Sequence, residues 1–361
     1  MLVDKRSLLK GVATTLLAPL ALLAGLAAPL SPARADPLPE RLASLYEAAK
    51  KEAQVVFYTS YRQETSTAVL EFWRKTFPDV KLNIVQKQTL DLIPTIEAEK
   101  AAGRTNPDVV FISQRFILDD WKKRGYLVPY KVRDFDQIGG NYKDPEGNYI
   151  ATAATLLSAA YNPKVFPDPS VLPKKIADFL DPKWKGKIVF SDPRTAASQL
   201  TWFQTLLAHK IITWDTIKGF ASQDFLLTRG NAESVRLLVA GERDLSPLIS
   251  SQNVITARER GQSIEAYILD EGVVTNENYL AIFKGGPNPD AAKLLIEVLT
   301  SPEGQEIVAN AGSYIPTHPD AKIPAGLPKL SDLKIIVADQ DIGGDASQKF
   351  LEQFDAVFNR Q

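Results

Sequence analysis

Short apolar segments that alternate with amphipathic helical patterns constrain the fold of this chain more than any other feature. Three apolar segments occur early, at Val55–Tyr58, Val80–Val85 and Asp108–Ile112. Each is followed by apolar residues at helical spacing, and the helix after the third segment ends near Gly125. Strand and helix in regular alternation predict an α/β unit with a mostly parallel sheet.

Polar clusters follow two of these strands and a third strand further along. They are Thr59-Ser60-Tyr61, Ser113-Gln114-Arg115 and Ser191-Asp192-Pro193-Arg194-Thr195. Ligands of open α/β sheets bind beyond the carboxyl ends of the strands. We therefore expect the three clusters to share one pocket.

The cluster at Ser191–Thr195 has a second interpretation. A strand at 187–190 leads into it and a helical pattern follows, so the cluster is predicted to open a helix with Pro193 at its first position. Backbone N–H groups, hydroxyls and Arg194 at a helix N-terminus would suit an anion. Helix capping alone would explain the same residues, and solvation alone would explain Arg115.

The second half of the chain begins with the apolar run Ile150–Tyr161, which we interpret as a strand crossing into another lobe. Further strands are predicted near Leu245–Ile249, at Ile264–Leu269 and at Asn278–Phe283. The group Ser250-Ser251-Gln252 follows the first of these. The last helix is predicted at Ser347–Phe358.

Composition excludes several kinds of site. The 361 residues contain no cysteine and two histidines, which excludes disulfides, thiolate metal sites and histidine-rich metal centres. A net charge of −1 gives no indication of nucleic-acid binding. No nucleophile elbow, zinc motif or phosphate loop is present, so no catalytic residue and no cofactor are predicted.

Residues 1–35 have the pattern of a signal peptide. A charged segment at Asp4–Lys10 precedes an Ala/Leu-rich run, and Ala33-Arg34-Ala35 supplies a cleavage site before Asp36. The run is long enough to span a membrane, but its prolines and the cleavage site favour removal. The basic pair Lys5-Arg6 resembles a twin-arginine export signal with lysine in the first position. Export to the periplasm is therefore expected.

The chain resembles the periplasmic solute-binding proteins of ABC transporters, in the class of ferric-iron, thiamine, polyamine and phosphonate binders. The resemblance runs in family order through nearly the whole chain after residue 35. It is carried by Val56–Ser60, Phe72–Pro78, Asn106–Phe111, Gly125–Tyr130, Tyr161-Asn162, Phe179–Lys187, Asp270–Gly272, Ser301–Gln305 and Tyr314–Pro316. It implies the type II periplasmic binding protein fold, in which two α/β lobes joined by two crossing strands close over a ligand. Residues 36–155 and 270–361 would form lobe 1, and residues 156–269 would form lobe 2.

The resemblance fails at the ligands of the ferric-iron binders. Those proteins use adjacent tyrosines where this chain has Ser251-Gln252, and a carboxylate where it has Ser113 or Gln114. Ferric iron prefers anionic oxygen ligands, so a small organic anion held by arginines is predicted instead. Tyr58, Tyr61 and Tyr161 keep iron open as an alternative. The predicted ligand-binding residues are Thr59, Ser60, Tyr61, Ser113, Gln114, Arg115, Tyr161, Ser191, Arg194, Thr195, Ser250, Ser251, Gln252 and Glu271.

Glu271 could face an amine of the ligand or serve as a hinge carboxylate between lobes. The anion would be a carboxylate, phosphonate or sugar phosphate, delivered by a monomeric protein to an ABC permease in the cytoplasmic membrane. Two other functions stay open, a ferric-iron or iron-chelate binding protein and a sensory module that feeds a receptor. An enzyme has no support in the sequence.

Overall fold

The computed structural model describes residues 38–338 and 345–358. The predicted signal peptide lies outside the described residues. Within the described ranges, no helix has the length and apolar character needed to cross a membrane.

Helices form where the sequence has apolar residues at helical spacing. The helix predicted to end near Gly125 ends at Lys123, and the last helix, predicted at Ser347–Phe358, spans Asp345–Val357. One helix, Trp214–Ser222, was not predicted. The helices are α1 (Glu40–Glu52), α2 (Gln63–Thr76), α3 (Thr89–Ala101), α4 (Arg115–Lys123), α5 (Ala197–Ala208), α6 (Trp214–Ser222), α7 (Asn231–Ala240), α8 (Ser251–Glu259), α9 (Pro289–Thr300), α10 (Pro302–Gly312) and α11 (Asp345–Val357).

Strands form at the apolar segments, and four short strands that the sequence did not predict are added to them, at Leu127–Val128, Leu226–Thr228, Ile315–Pro316 and Ile335–Ile336. The strands are β1 (Gln54–Thr59), β2 (Lys81–Gln86), β3 (Val109–Ile112), β4 (Leu127–Val128), β5 (Ile150–Tyr161), β6 (Val189–Ser191), β7 (Leu226–Thr228), β8 (Leu245–Ser250), β9 (Glu265–Tyr267), β10 (Val273–Phe283), β11 (Ile315–Pro316) and β12 (Ile335–Ile336).

The main sheet is mixed and has the order β11-β5-β10-β3-β1-β2, with short strands added beside β5 and β10. The first three strands are parallel, as predicted from the strand–helix alternation. The long strands β5 and β10 are antiparallel to each other, with Leu157 opposite Val274 and Ile150 opposite Leu280. The α/β prediction is confirmed, and the parallel part is confined to one side of the sheet.

β5 continues across the molecule, as its apolar run predicted. All twelve of its residues are buried. One end pairs with β10 and β11, and the other pairs with β8 and β9. One strand thus pairs with two separate groups of strands, one at each of its ends.

Two of the hydrophobic clusters formed by the described residues involve opposite ends of this crossing strand, Ala151 in one and Leu157, Ala159 and Tyr161 in the other. One surrounds β3 and β10 and contains the fully buried Trp121. The other is aromatic and packs Phe203 of α5 against Phe350 and Phe354 of α11, with ring centroids 5.8 and 5.5 Å apart. The last helix therefore packs on α5 and α6. The lobe boundaries given above remain a prediction.

Two local expectations differ from the structure. β10 begins at Val273, five residues before the predicted Asn278, because the polar residues between them stay within the strand. The sequence pattern at Lys175–Leu180 predicts a short helix, and the structure has a 3₁₀ turn there, at Ile176–Leu180.

Candidate functional site

A cavity of about 250 Å³ opens between the loop after β3, the start of α5, the middle of β10 and helix α11. Its polar lining consists mostly of amides and hydroxyls, and two arginines and one glutamate supply charge. The polar residues are Ser113, Gln114, Arg115, Asn141, Arg194, Thr201, Gln204, Thr275, Asn276, Glu277 and Ser347. Four of them, Ser113, Gln114, Arg115 and Arg194, were predicted as ligand-binding residues.

Arg115 is the first residue of α4 and lies directly after β3, where the sequence predicted a site residue. Its Nε donates a hydrogen bond to Tyr149 Oη at 3.2 Å, and that hydroxyl donates to Asp119 at 2.6 Å. The side chain keeps 20% of its exposure. Asp119 also forms an ion pair with the guanidinium, with its Oδ2 4.0 Å from Nε. Tyr149 and Asp119 therefore hold the guanidinium in place at the cavity wall.

Ser113 and Gln114 line the same wall. Ser113 Oγ donates to Gln114 Oε1 at 2.9 Å and lies 3.5 Å from Thr89 Oγ1. Both residues lie in the turn between β3 and α4, and this turn brings them to the cavity together with Arg115.

Arg194 reaches the cavity from a turn rather than from the predicted helix start. Helix α5 begins at Ala197. The side chain of Asp192 accepts a hydrogen bond from the backbone N–H of Arg194. The backbone carbonyl of Asp192 accepts from the N–H groups of Thr195 and Ala196. Because Asp192 takes these N–H groups, they do not form the anion site that the sequence suggested. The guanidinium itself forms an ion pair with Asp355 of α11.

Glu277 in the middle of β10 is a cavity residue that sequence reasoning missed. Thr275 Oγ1 donates a hydrogen bond to its carboxylate. Burial raises the pKa of this carboxyl above its ordinary value, and the nearby charge of Arg115 opposes the rise. The available signal was the polar stretch 275–278 inside an otherwise apolar strand.

The cluster Thr59-Ser60-Tyr61 lies elsewhere and satisfies local structure. Thr59 Oγ1 accepts from Tyr61 N at 3.1 Å, and Ser60 N and Oγ donate to the carbonyl of Phe111. Tyr61 is 1% exposed and packs against Phe111 with centroids 4.0 Å apart. Burial raises the pKa of Tyr61 well above its ordinary value.

The group Ser250-Ser251-Gln252 is also buried away from the cavity. Ser251 Oγ accepts from Leu156 N at 3.1 Å, and Ser250 N donates to Asn231 at 3.2 Å. Gln252 Nε2 donates to the carbonyl of Gly312. These polar atoms tie α8 to β5, α7 and α10.

A hydrogen-bonded bridge links the residue after the first cluster to helix α8. Arg62 donates from Nη1 to Thr256 and from Nη2 to Asn253 of α8, both at 3.3 Å. This bridge lies outside the cavity and involves none of the predicted residues of either cluster.

The remaining predicted residues have structural partners outside the cavity. Tyr161 packs against Tyr267 in the aromatic core, with centroids 5.8 Å apart. Ser191 is fully buried with its Oγ 3.4 Å from Ser234 Oγ, and the exposed Thr195 donates to the Asp192 carbonyl at 3.3 Å. Glu271 accepts from Ile176 N at 3.1 Å, which favours the structural alternative for this carboxylate.

The tyrosines that kept iron open do not line the cavity. Tyr58 donates to Glu99 at 2.9 Å, and Tyr61 and Tyr161 are in the cores described above. Among residues 38–338 and 345–358, no group of three or more histidine, aspartate and glutamate side chains is arranged to hold a metal ion.

Comparison with known proteins places the chain among binding proteins. A family profile described as bacterial extracellular solute-binding protein matches residues 104–340. The major ferric iron-binding protein of Neisseria meningitidis serogroup B is 21% identical over 301 residues, which cover 81% of this chain and 89% of the relative.

Solved structures share the fold at low identity. Iron-bound HitA from Pseudomonas aeruginosa matches with a TM-score of 0.73 and 19% identity, over 84% of this chain and 99% of HitA. AfuA from Actinobacillus pleuropneumoniae, solved with fructose 6-phosphate bound, matches with a TM-score of 0.69 and 23% identity, over 85% and 98% of the two chains. The predicted type II periplasmic binding protein fold is confirmed.

Proposed function

We propose that this chain, which belongs to the family of bacterial extracellular solute-binding proteins, captures a small organic anion of the carboxylate, phosphonate or sugar-phosphate type. Proteins of this family bind solutes and are not enzymes. The chain acts as the solute-binding component of an ABC importer, works in the periplasm and delivers its ligand to a membrane permease.

The observation that carries the proposal is the convergence of Arg115 and Arg194 on one cavity. The two arginines come from elements about eighty residues apart in sequence, yet both line the same space. Guanidinium groups hold carboxylate and phosphate oxygens through paired hydrogen bonds. The neutral amides and hydroxyls around them suit an uncharged polar ligand body.

Ligand capture works through a shift between open and closed forms. The cavity has walls from α4 on one side of the crossing strands and from α5 on the other. A ligand that contacts both walls binds the closed form more tightly and therefore increases its population. The permease then recognises the closed form.

Ferric iron is the second candidate, and the names of the relatives favour it. The Neisseria protein and HitA are both described as iron proteins. The donor set of this cavity argues against direct ligation, because it offers one carboxylate and one tyrosine, Glu277 and Tyr279, beside two cations. Hard trivalent cations prefer several anionic oxygen ligands. AfuA, with its bound sugar phosphate, supports an organic anion within the same fold.

The test is a thermal-shift screen of the exported protein after removal of ligand by unfolding and refolding. Phosphonates, sugar phosphates, carboxylates and ferric citrate form the panel. A ligand at about one hundred times its dissociation constant stabilises by roughly 2.7 kcal/mol, which moves the midpoint visibly. Stabilisation by an organic anion that is lost in Arg115→Ala and Arg194→Ala is the expected result.

Arg236→Ala is the matched control. Arg236 lies on α7 in an exposed ion pair with Glu242 at 2.8 Å, outside the cavity. This variant should keep the ligand response. A coloured sample whose unfolding midpoint rises with iron alone would support the ferric alternative. A ligand-loaded protein that binds a receptor domain and no permease would support the sensory alternative.

A further inference from the structure

Glu277 is a carboxyl group in an unusual position for a strand residue. It lies in the middle of β10, at a point where β10 pairs with β5 and the pairing with β3 has not yet begun; that pairing starts at Tyr279. Its cross-strand neighbour on β5 is Ala154, which has no polar side-chain atom. Placing an ionisable group on a largely buried strand is costly, so its presence here requires a compensating partner or a use.

The surroundings of Glu277 provide only part of that compensation. Thr275, two residues earlier on the same strand, donates one hydrogen bond. The charge of Arg115 acts on the carboxyl as well. The residue is half-buried and lines the cavity, so the carboxyl is accessible to a molecule that enters it.

The rest of that wall has the character of a surface for hydroxyl groups. Thr275, Asn276 and Gln204 line it with neutral donors and acceptors. Tyr279, on the same strand, also lines the cavity, although its ring is 3% exposed and packs against Tyr149 with centroids 5.5 Å apart. Arg115 sits beside this wall and can hold an anionic group at one end of the ligand.

We infer that Glu277 is a specificity-determining residue whose carboxyl accepts hydrogen bonds from hydroxyl groups on the body of the bound anion while Arg115 holds the anionic group. The inference rests on the proposed function and narrows its ligand to a hydroxylated organic anion. Hydroxyls fit better than an ammonium group, because the positive charge of Arg115 already acts on this carboxyl and would repel a second cation.

The experiment compares two ligands and two variants by calorimetry. The ligands are fructose 6-phosphate, which carries hydroxyls, and butylphosphonate, which carries none. Glu277→Gln should weaken binding of fructose 6-phosphate by about tenfold, because a hydrogen bond to a charged acceptor is replaced by one to a neutral amide. Binding of butylphosphonate should change by less than about twofold, since it makes no such bond.

Glu297→Gln is the matched control. Glu297 is a buried carboxylate that accepts from Tyr130 and from the backbone N–H of Arg133, and it is not among the residues that line the cavity. This variant should leave the affinity ratio of the two ligands unchanged. This control distinguishes a general effect of removing a buried carboxylate from a specific effect of removing the carboxylate of Glu277.

Other results would overturn the inference in distinguishable ways. An equal loss for both ligands would make Glu277 a structural residue, and no loss for either would remove it from the site. Tight binding of 2-aminoethylphosphonate that disappears in Glu277→Gln would make the partner an ammonium group. If the unmodified protein binds no organic anion, the proposed function fails together with the inference. If it binds organic anions and the affinity ratio of the two ligands is the same in Glu277→Gln, the inference alone is overturned.

Discussion

Arg194, in the turn before α5, forms an ion pair with Asp355 of α11. The arginine lines the cavity, and the aspartate belongs to the last helix that the structure describes. In the proposed site, the carboxylate of Asp355 therefore competes with an anionic ligand for the guanidinium of Arg194.

Asp355→Asn should raise affinity for the organic anion. The substitution removes the competing carboxylate and leaves the shape of the side chain almost unchanged. Both side chains are partly exposed, at 35% and 24%, so the free energy of unfolding should fall by about 1 kcal/mol or less. Calorimetric titration with the best anion checks the first effect, and urea unfolding checks the second. Unchanged affinity would mean that the ligand does not use Arg194.

Phe354→Ala should destabilise the protein strongly. Phe354 is fully buried and packs against Phe203 of α5 and Phe358. Removal of a buried phenylalanine ring costs about 3–5 kcal/mol. Gln353→Ala, one residue earlier and exposed, is the control. Similar unfolding midpoints for the two variants would show that α11 is not anchored in the aromatic core.

Gly304→Ala should also destabilise the protein, although the change adds only a methyl group. A Cβ at Gly304 would overlap the backbone carbonyl of Val298, because α9 and α10 approach closely at their junction. Backbone cannot move aside as a flexible side chain can, so we expect a cost of about 1–3 kcal/mol. Gly230→Ala is the control, since a Cβ there meets open space. Denaturant unfolding measures both.

Glu277 should make stability decrease as pH rises just above 4.5. Burial raises the pKa of this carboxyl from its ordinary value of 4.5, while the unfolded chain keeps the ordinary value. Between the two values the folded state holds the proton and the unfolded state has lost it, so rising pH favours unfolding. Arg115, Tyr142 and Tyr279 are the other titratable groups that interact with it. Glu277→Gln should remove this slope from the pH profile of the unfolding free energy.

His318 should contribute a slope of the opposite sign. Its side chain is 1% exposed, and burial lowers its pKa from 6.5, against the opposing charges of Asp134 and Asp320. Below pH 6.5 the unfolded chain takes up a proton before the folded chain does, so stability is lost as the pH falls. His318→Gln should flatten the profile between pH 6.5 and lower values. An unaltered profile would mean that the folded state protonates this histidine as readily as the unfolded chain does.

Sequence patterns predicted individual elements well. The run Ile150–Tyr161 became β5 with the same bounds, because a continuous apolar segment of that length must be buried on both faces. Arg115 lies at the junction of β3 and α4 and lines the cavity. Apolar spacing and strand–helix junctions depend on residues that are close together in the sequence, so they can be predicted from the sequence alone.

The composition of the cavity could not be predicted in the same way. Gln252 bonds with Gly312, sixty residues away, and Tyr61 fills a core beside Phe111. Glutamine and tyrosine are both common in binding sites, but the contacts of these two residues with distant parts of the chain give them a structural role. Glu277 is the opposite case: it lines the cavity but was not predicted as a site residue, because the strand was predicted to begin after it, at Asn278.

The sequence by itself determined the α/β class, the crossing strand and the absence of cysteine and histidine-rich metal chemistry, because these depend on composition and short-range periodicity. Only the tertiary structure decided which polar side chains meet. Arg115, Arg194 and Glu277 share a cavity because the packing of α4, α5 and β10 brings their ends together. Hydrogen-bond partners that lie far apart in the chain are chosen by packing, and packing is a property of the whole fold.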